Sequence, residues 1–151
     1  MAERKEMRLS RKNRLYAANV IVPLLCGLFI YLTAAEDTLV SAFLPALRSL
    51  LPVIDYPSVI RNFAADFLWA YALFFCLRLS LGDELCGRYG IYALLLAAAV
   101  ALILECLQMT KIFPGTFDML DIITELTAAA VALLISNIIE RRKCYEEKEF
   151  N

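Results

Sequence analysis

The chain has 151 residues, of which 61% are hydrophobic, with a mean hydropathy of +0.64 and a net charge of -1. Because ordinary soluble domains are about 45–50% apolar, this composition argues against a soluble protein and predicts an integral membrane protein. The chain contains no histidine, which excludes Ser-His-Asp and Cys-His catalytic units and zinc sites built on histidine.

Basic residues concentrate in the two tails of the chain. Lysine and arginine mark cytoplasmic segments of membrane proteins, so both termini are expected in the cytoplasm. We treat residues 1–151 as a single integral membrane domain. The bases of the two tails are Arg4, Lys5, Arg8, Arg11, Lys12 and Arg14, and Arg141, Arg142, Lys143 and Lys148.

The first predicted transmembrane helix covers residues 15–35, which are 21 residues without a charge. About 20 residues of helix cross the roughly 30 Å of hydrocarbon. No small-residue cleavage site follows, since Glu36 and Asp37 stand there, and this favours a retained helix over a signal peptide. Pro23 and Gly27 predict a bend within it.

The connection from Glu36 to Arg61 is more apolar than a free loop should be. Its leucines, with Val40 and Phe43, recur at helical spacing before Pro52 and Pro57. We predict an interfacial or re-entrant segment here, between transmembrane helices 1 and 2.

Three further spans are predicted at residues 62–81, 88–108 and 120–140. Their uncharged runs of 11, 16 and 14 residues are too short to cross alone, so each span must include an acid. In helical register, Asp66, Glu105 and Glu125 all fall in the outer half of the membrane. The predicted fold class is therefore an all-α membrane protein with four transmembrane helices.

Small residues predict how the last two spans pack. Ala93, Ala97 and Ala101 precede Glu105 at intervals of four, and Thr124, Ala128, Ala132 and Ser136 repeat the interval on the next helix. Ridges of small residues let helix backbones approach closely in lipid. We therefore expect the two ridges to face each other.

Polar residues at the outer ends of these helices form the candidate site. A charge in hydrocarbon costs several kcal/mol unless it faces a partner or a wet cavity, so such residues point to function. We predict a ligand-binding site with no metal ion and no cofactor. Its residues are Arg61, Asp66, Glu105, Gln108, Asp118, Asp121 and Glu125.

The segment from Glu105 to Glu125, ECLQMTKIFPGTFDMLDIITE, resembles the signature of VanZ-like membrane proteins. In that family a Glu-x-x-Gln pair closes one transmembrane helix, and a short loop leads to an Asp that opens the next. Thr116 and Glu125 stand where the family usually has arginine and asparagine. The resemblance implies a small protein of the bacterial plasma membrane, associated through the founding member with glycopeptide (teicoplanin) resistance.

Each site residue also has a structural explanation. Asp118 and Asp121 would complement the dipole of the helix that they open. Glu105 and Gln108 would form a solvated helix end. Asp66 would be neutralised by Arg61, or by a hydrogen bond from Trp69 or Tyr71.

Three functions are compatible with the residues. The first is binding of a lipid headgroup, a lipid-linked envelope intermediate or a membrane protein partner. The second is a membrane enzyme that uses paired carboxylates or a divalent cation. The third is a small proton-coupled transporter that acts as an oligomer. The basic tails lack the interleaved aromatic residues of nucleic-acid surfaces, so no nucleic acid is expected.

Overall fold

The computed structural model describes residues 2–34, 43–81, 88–110 and 118–148, and side chains in these ranges except 2–11, 61, 62, 88 and 141–148. The described chain is helical throughout apart from the segment around residues 49–57. The all-α prediction is confirmed. The helices are α1 Ala2–Thr33, α2 Pro45–Arg48, a π-helical turn Ile60–Ala64 that continues into α3 Ala65–Leu81, α4 Arg88–Met109 and α5 Met119–Lys148.

Among the described residues, three helices are long and apolar enough to cross a membrane, at Lys12–Thr33, Tyr89–Met109 and Met119–Glu140. Their length and composition suggest a membrane protein. The first helix starts well before the predicted span and continues through Pro23. The remaining predicted span, residues 62–81, corresponds to α3, whose 17 residues are too few to cross a membrane alone.

The bundle is arranged around α3. This helix packs against α1, α4 and α5, and its contact with α1 is the most extensive. Phe74 and Phe75 of α3 are fully buried, and they form the core with Tyr16 of α1. The most internal helix is therefore α3, which is also the shortest of the four long helices. Its polar end residues lie near the polar end residues of its neighbours.

The seam between α4 and α5 is lined by small residues. Ala93, Ala97 and Ala101 of α4 are buried, as are Ala128 and Ala132 of α5. A Cβ added to Gly90 would lie 2.9 Å from Leu133 Cδ1, which shows how closely the two helices approach. The predicted ridges are therefore buried, although Thr124 is only half-buried and its hydroxyl donates to the Leu120 carbonyl.

Large apolar side chains face outward, the inverse of a soluble protein. Leu25 of α1, Leu95 of α4 and Leu134 of α5 are each more than half exposed. In lipid these side chains lie in a medium as apolar as themselves, so helices associate through small residues and polar contacts instead. The outward face agrees with a membrane environment.

The connection between α1 and α3 differs from the predicted helical segment. Only Pro45–Arg48 forms a helix, and residues 35–42 lie outside the described part. The remainder is tied to the end of α1: the Ile54 N–H donates to the Thr33 carbonyl at 2.7 Å, and Arg48 donates to the Ala34 carbonyl at 3.1 Å. The segment is thus a tethered loop over the end of the bundle, with Phe43 82% exposed.

Candidate functional site

Five carboxylates converge at the end of the bundle where α4 ends and α5 begins. The side chains of Asp66, Glu105, Asp121 and Glu125 lie close enough for their charges to interact, and Asp118 interacts with Asp121. We call these five residues the acidic cluster. It draws on α3, α4 and α5, so it exists only in the folded bundle.

The five carboxylates of the acidic cluster differ in how deeply they are buried. Glu105 is 4% exposed and Glu125 5% exposed, whereas Asp66 and Asp121 are half-buried and Asp118 is exposed. The described residues therefore give a cluster with a buried floor and an open rim at Asp118.

Asp118 has a clear structural role. Its Oδ1 accepts a hydrogen bond from the Leu120 N–H at 2.9 Å, which is the N-cap contact that begins α5. The Asp118 N–H in turn donates to Glu105 Oε2 at 3.3 Å. These two bonds join the last turn of α4 to the first residue of α5 and hold Glu105 in place.

Glu125 is incompletely satisfied. Its carboxylate accepts a hydrogen bond from the Trp69 side chain of α3. Its Oε2 is buried and has no hydrogen-bond partner among the described residues. A buried carboxylate oxygen without a donor is costly, which is why such atoms in native proteins usually meet a donor.

The salt bridges of Lys12 and Arg78 go to Glu140, at the opposite end of the bundle from the acidic cluster. Tyr31 of α1 lies near Asp66 and Asp121, and the charges of these two carboxylates interact with its hydroxyl group. The cluster therefore combines several negative charges with two aromatic side chains, Tyr31 and Trp69. Such a site attracts a cation.

The predicted site is thus brought together in large part. Gln108 is half-buried one turn beyond Glu105, and no hydrogen bond joins its side chain to a described residue. The Arg61 side chain lies outside the described residues. Two of the alternative partners of Asp66 bond elsewhere: Tyr71 donates to Asn19 of α1 at 2.5 Å, and Trp69 donates to Glu125.

A metal centre receives no support from the described chain. No three cysteine or carboxylate side chains in residues 12–34, 43–81, 89–110 and 118–140 are placed to hold one ion.

A second polar group at the opposite end of the bundle was not anticipated. The hydroxyls of Tyr16 and Ser136 hydrogen-bond at 2.9 Å, Tyr16 also donates to Glu140 Oε1 at 3.0 Å, and Arg78 forms a salt bridge with the same carboxylate. Lys12 lies 3.8 Å from it. We call these five residues the Tyr16 network.

The Tyr16 network has a signal in the sequence. Arg78 and Glu140, one basic and one acidic, lie near the cytoplasmic ends of the predicted spans 62–81 and 120–140, so a pair between α3 and α5 could have been proposed. The part of Tyr16 is harder to anticipate. It depends on which face of α1 meets α3, and residues 15–33 of α1 carry no charge that would mark that face.

Comparisons with known proteins give no family for this chain. No protein-family model, curated protein or solved structure matches this chain significantly.

Proposed function

We propose that this chain is a VanZ-like protein of the bacterial plasma membrane whose acidic cluster binds a lipid headgroup, a lipid-linked envelope intermediate or a membrane partner. The observation that carries the proposal is Glu125, a buried carboxylate with an unpartnered oxygen among the described residues, surrounded by other acids. Charges near hydrocarbon are expensive to keep, so the retention of several acids at one end of the bundle favours a binding role.

The proposal includes a fourth span. The π-helical turn and α3 together run for 22 residues from Ile60 to Leu81, about the length needed to cross the hydrocarbon. The short apolar part of α3 is acceptable because three neighbouring helices surround it. Its end residues Asp66 and Arg78 then belong to the acidic cluster and the Tyr16 network.

The proposed orientation places the acidic cluster outside the cell and both termini in the cytoplasm. The bases of both tails support it. An outward site in the plasma membrane faces envelope precursors and antibiotics that act on them. The link to glycopeptide resistance rests on the resemblance of residues 105–125 to the family signature.

The direct test is whether the purified protein retains a ligand at the acidic cluster. The full chain is extracted from bacterial membranes in mild detergent and analysed by native mass spectrometry, as wild type, Glu125→Gln and Asp55→Asn. Asp55 is an exposed carboxylate in the loop between α1 and α3. Asp55→Asn therefore removes one negative charge, as Glu125→Gln does, but at a position outside the acidic cluster.

We expect a bound molecule in wild type and Asp55→Asn and its loss in Glu125→Gln. Equal occupancy in all three proteins, or no bound molecule in wild type, would contradict the proposed function. Glu125→Gln is near isosteric, so its folding is checked by the thermal midpoint.

A further inference from the structure

The described part of the connection between α1 and α3 carries large apolar side chains that are exposed. We call residues 43–59 the connecting segment, and we infer that it is an interfacial anchor whose apolar side chains enter the headgroup–acyl boundary of the leaflet in which α1 ends. In the proposed orientation this is the outer leaflet. The inference goes beyond the proposed ligand-binding function and does not depend on the acidic cluster. The side chains that carry it are Phe43, Leu47, Leu50, Val53 and Val59.

Three hydrogen bonds fix the level of the connecting segment at the end of α1. The Ile54 N–H donates to the Thr33 carbonyl, and the Tyr56 hydroxyl bonds to the Thr33 hydroxyl at 2.8 Å. Arg48 donates to the carbonyl of Ala34, the next residue. Thr33 is the last residue of the part of α1 that is long and apolar enough to cross a membrane. The connecting segment therefore lies at the level where α1 leaves the hydrocarbon.

The first half of the connecting segment is amphipathic. Helical backbone hydrogen bonds continue beyond α2 as far as Leu51, so Phe43, Leu47 and Leu50 share one face by their spacing of four and three residues. Phe43 and Leu50 are 82% and 80% exposed. Arg48, on the other side of the turn, is half-buried and bonds back to α1. The polar side thus meets the bundle, and the apolar side points away from it.

The apolar side chains of the connecting segment continue the outward apolar surface of α1. Leu25 and Phe29 of α1 are 58% and 46% exposed, and the next turn after Phe29 is the one that the connecting segment bonds to. Apolar surface is driven out of water, and exposed apolar patches of this kind mark contacts with membranes or partners. Acyl chains already surround a helix end at this level, so lipid is the occupant that the position favours.

The backbone limits how deep the connecting segment can insert. Residues 52–57 are irregular apart from one bridge between Ile54 and Ala34. Irregular backbone exposed to the hydrocarbon would leave N–H and C=O groups without partners, which lipid does not tolerate. At the headgroup level water still satisfies these groups, while apolar side chains reach about 5–10 Å into the boundary. The described segment therefore fits an interfacial position and not a re-entrant one.

The test measures the depth of spin labels attached along the connecting segment. With native cysteines replaced, the full chain is reconstituted in phosphatidylcholine vesicles, and a nitroxide is attached to Leu50→Cys, Val53→Cys, Ser49→Cys, Asp55→Cys or Leu25→Cys. Electron paramagnetic resonance then compares collisions of the nitroxide with oxygen, which concentrates in lipid, and with a water-soluble nickel chelate. The thermal midpoint of each labelled protein checks that it is folded.

We expect labels at Leu50→Cys and Val53→Cys to collide more with oxygen, and labels at Ser49→Cys and Asp55→Cys to collide more with nickel. Ser49 and Asp55 are matched controls, because both are exposed and lie within two residues of a tested apolar position. Leu25 lies eight residues before the end of the α1 span, so its label should be about 12 Å deeper than that end and deeper than the label at Leu50→Cys.

Three results would overturn the inference. More nickel than oxygen collisions at Leu50→Cys and Val53→Cys would place the segment in water. A label at Leu50→Cys as deep as the label at Leu25→Cys would make the segment re-entrant. Few collisions with either reagent at Leu50→Cys would show that protein covers the apolar side chains, from a second copy or from another part of this chain.

The inference and the proposed function fail separately. Native mass spectrometry reports a molecule retained through Glu125, whereas the spin labels report the depth of residues 43–59. If wild type retains no molecule but the labels alternate as expected, the anchor stands and the binding function is wrong. If the labels lie in water while wild type retains a molecule that Glu125→Gln loses, the anchor is wrong and the binding function stands.

Discussion

Tyr16 of α1 contacts two other helices: its hydroxyl group bonds to α5, and its ring lies against α3. It is 1% exposed, hydrogen-bonds to Ser136 and Glu140, and lies 5.9 Å by its ring centroid from the Arg78 guanidinium. The hydroxyl therefore belongs to a polar network that is buried between helices. A hydrogen bond left unmade there costs more free energy than one at the surface.

We expect Tyr16→Phe to lower the free energy of unfolding by about 1–2 kcal/mol, because Ser136 and Glu140 lose a partner and the ring stays in place. Thermal unfolding in detergent measures the loss. The control is Tyr92→Phe, which removes the hydroxyl of a tyrosine that is 51% exposed. Equal midpoints for the two variants would contradict a stabilising role for the network.

Asp118 provides a second prediction at the same scale. Asparagine is as good an N-cap as aspartate, whereas alanine cannot accept the Leu120 N–H, so Asp118→Ala should cost about 1 kcal/mol and Asp118→Asn little. Thermal unfolding of the two variants separates the cap from the charge. If Asp118→Asn destabilises as much as Asp118→Ala, the carboxylate charge is the stabilising feature instead.

The α4–α5 pair is held together by small side chains, and its prediction concerns packing. Ala128→Leu inserts a large side chain at a fully buried position of the seam and should destabilise the bundle by about 1–3 kcal/mol. Ala130→Leu, two residues further on the exposed face, is the matched control and should leave the midpoint near wild type. A similar midpoint for both leucine variants would show that the seam is not closely packed.

For the whole molecule the central question is orientation in the membrane. With native cysteines replaced, single cysteines at Ser49 and Ser58 should react with a membrane-impermeant thiol reagent in intact cells, since both positions are exposed in the connection between α1 and α3, which the proposed orientation places outside. A chain that keeps only Cys144 should react only after the cells are opened. Labelling of Cys144 in intact cells would reverse the proposed topology.

The positions of the helices and of the carboxylates on them follow from the sequence by itself. A helix in lipid satisfies its own backbone hydrogen bonds, so a long apolar segment predicts a span without knowledge of its neighbours. The interval of four between Ala93, Ala97, Ala101 and Glu105 likewise predicts one buried ridge, and the ridge is buried. The convergence of Glu105 with Glu125 could be expected on that basis.

Only the tertiary structure decided which partners the polar side chains take. Trp69 bonds to Glu125 and Tyr71 bonds to Asn19, although either could have reached Asp66 by spacing alone. Composition also does not show that α3 lies at the centre, or that the described part of the apolar segment before it, residues 43–57, contains one short helix and is tied to the end of α1. The reason is physical: the rotation of each helix about its axis depends on its contacts with all its neighbours together, and nearly uniform apolar surfaces leave that rotation undetermined until the bundle is assembled.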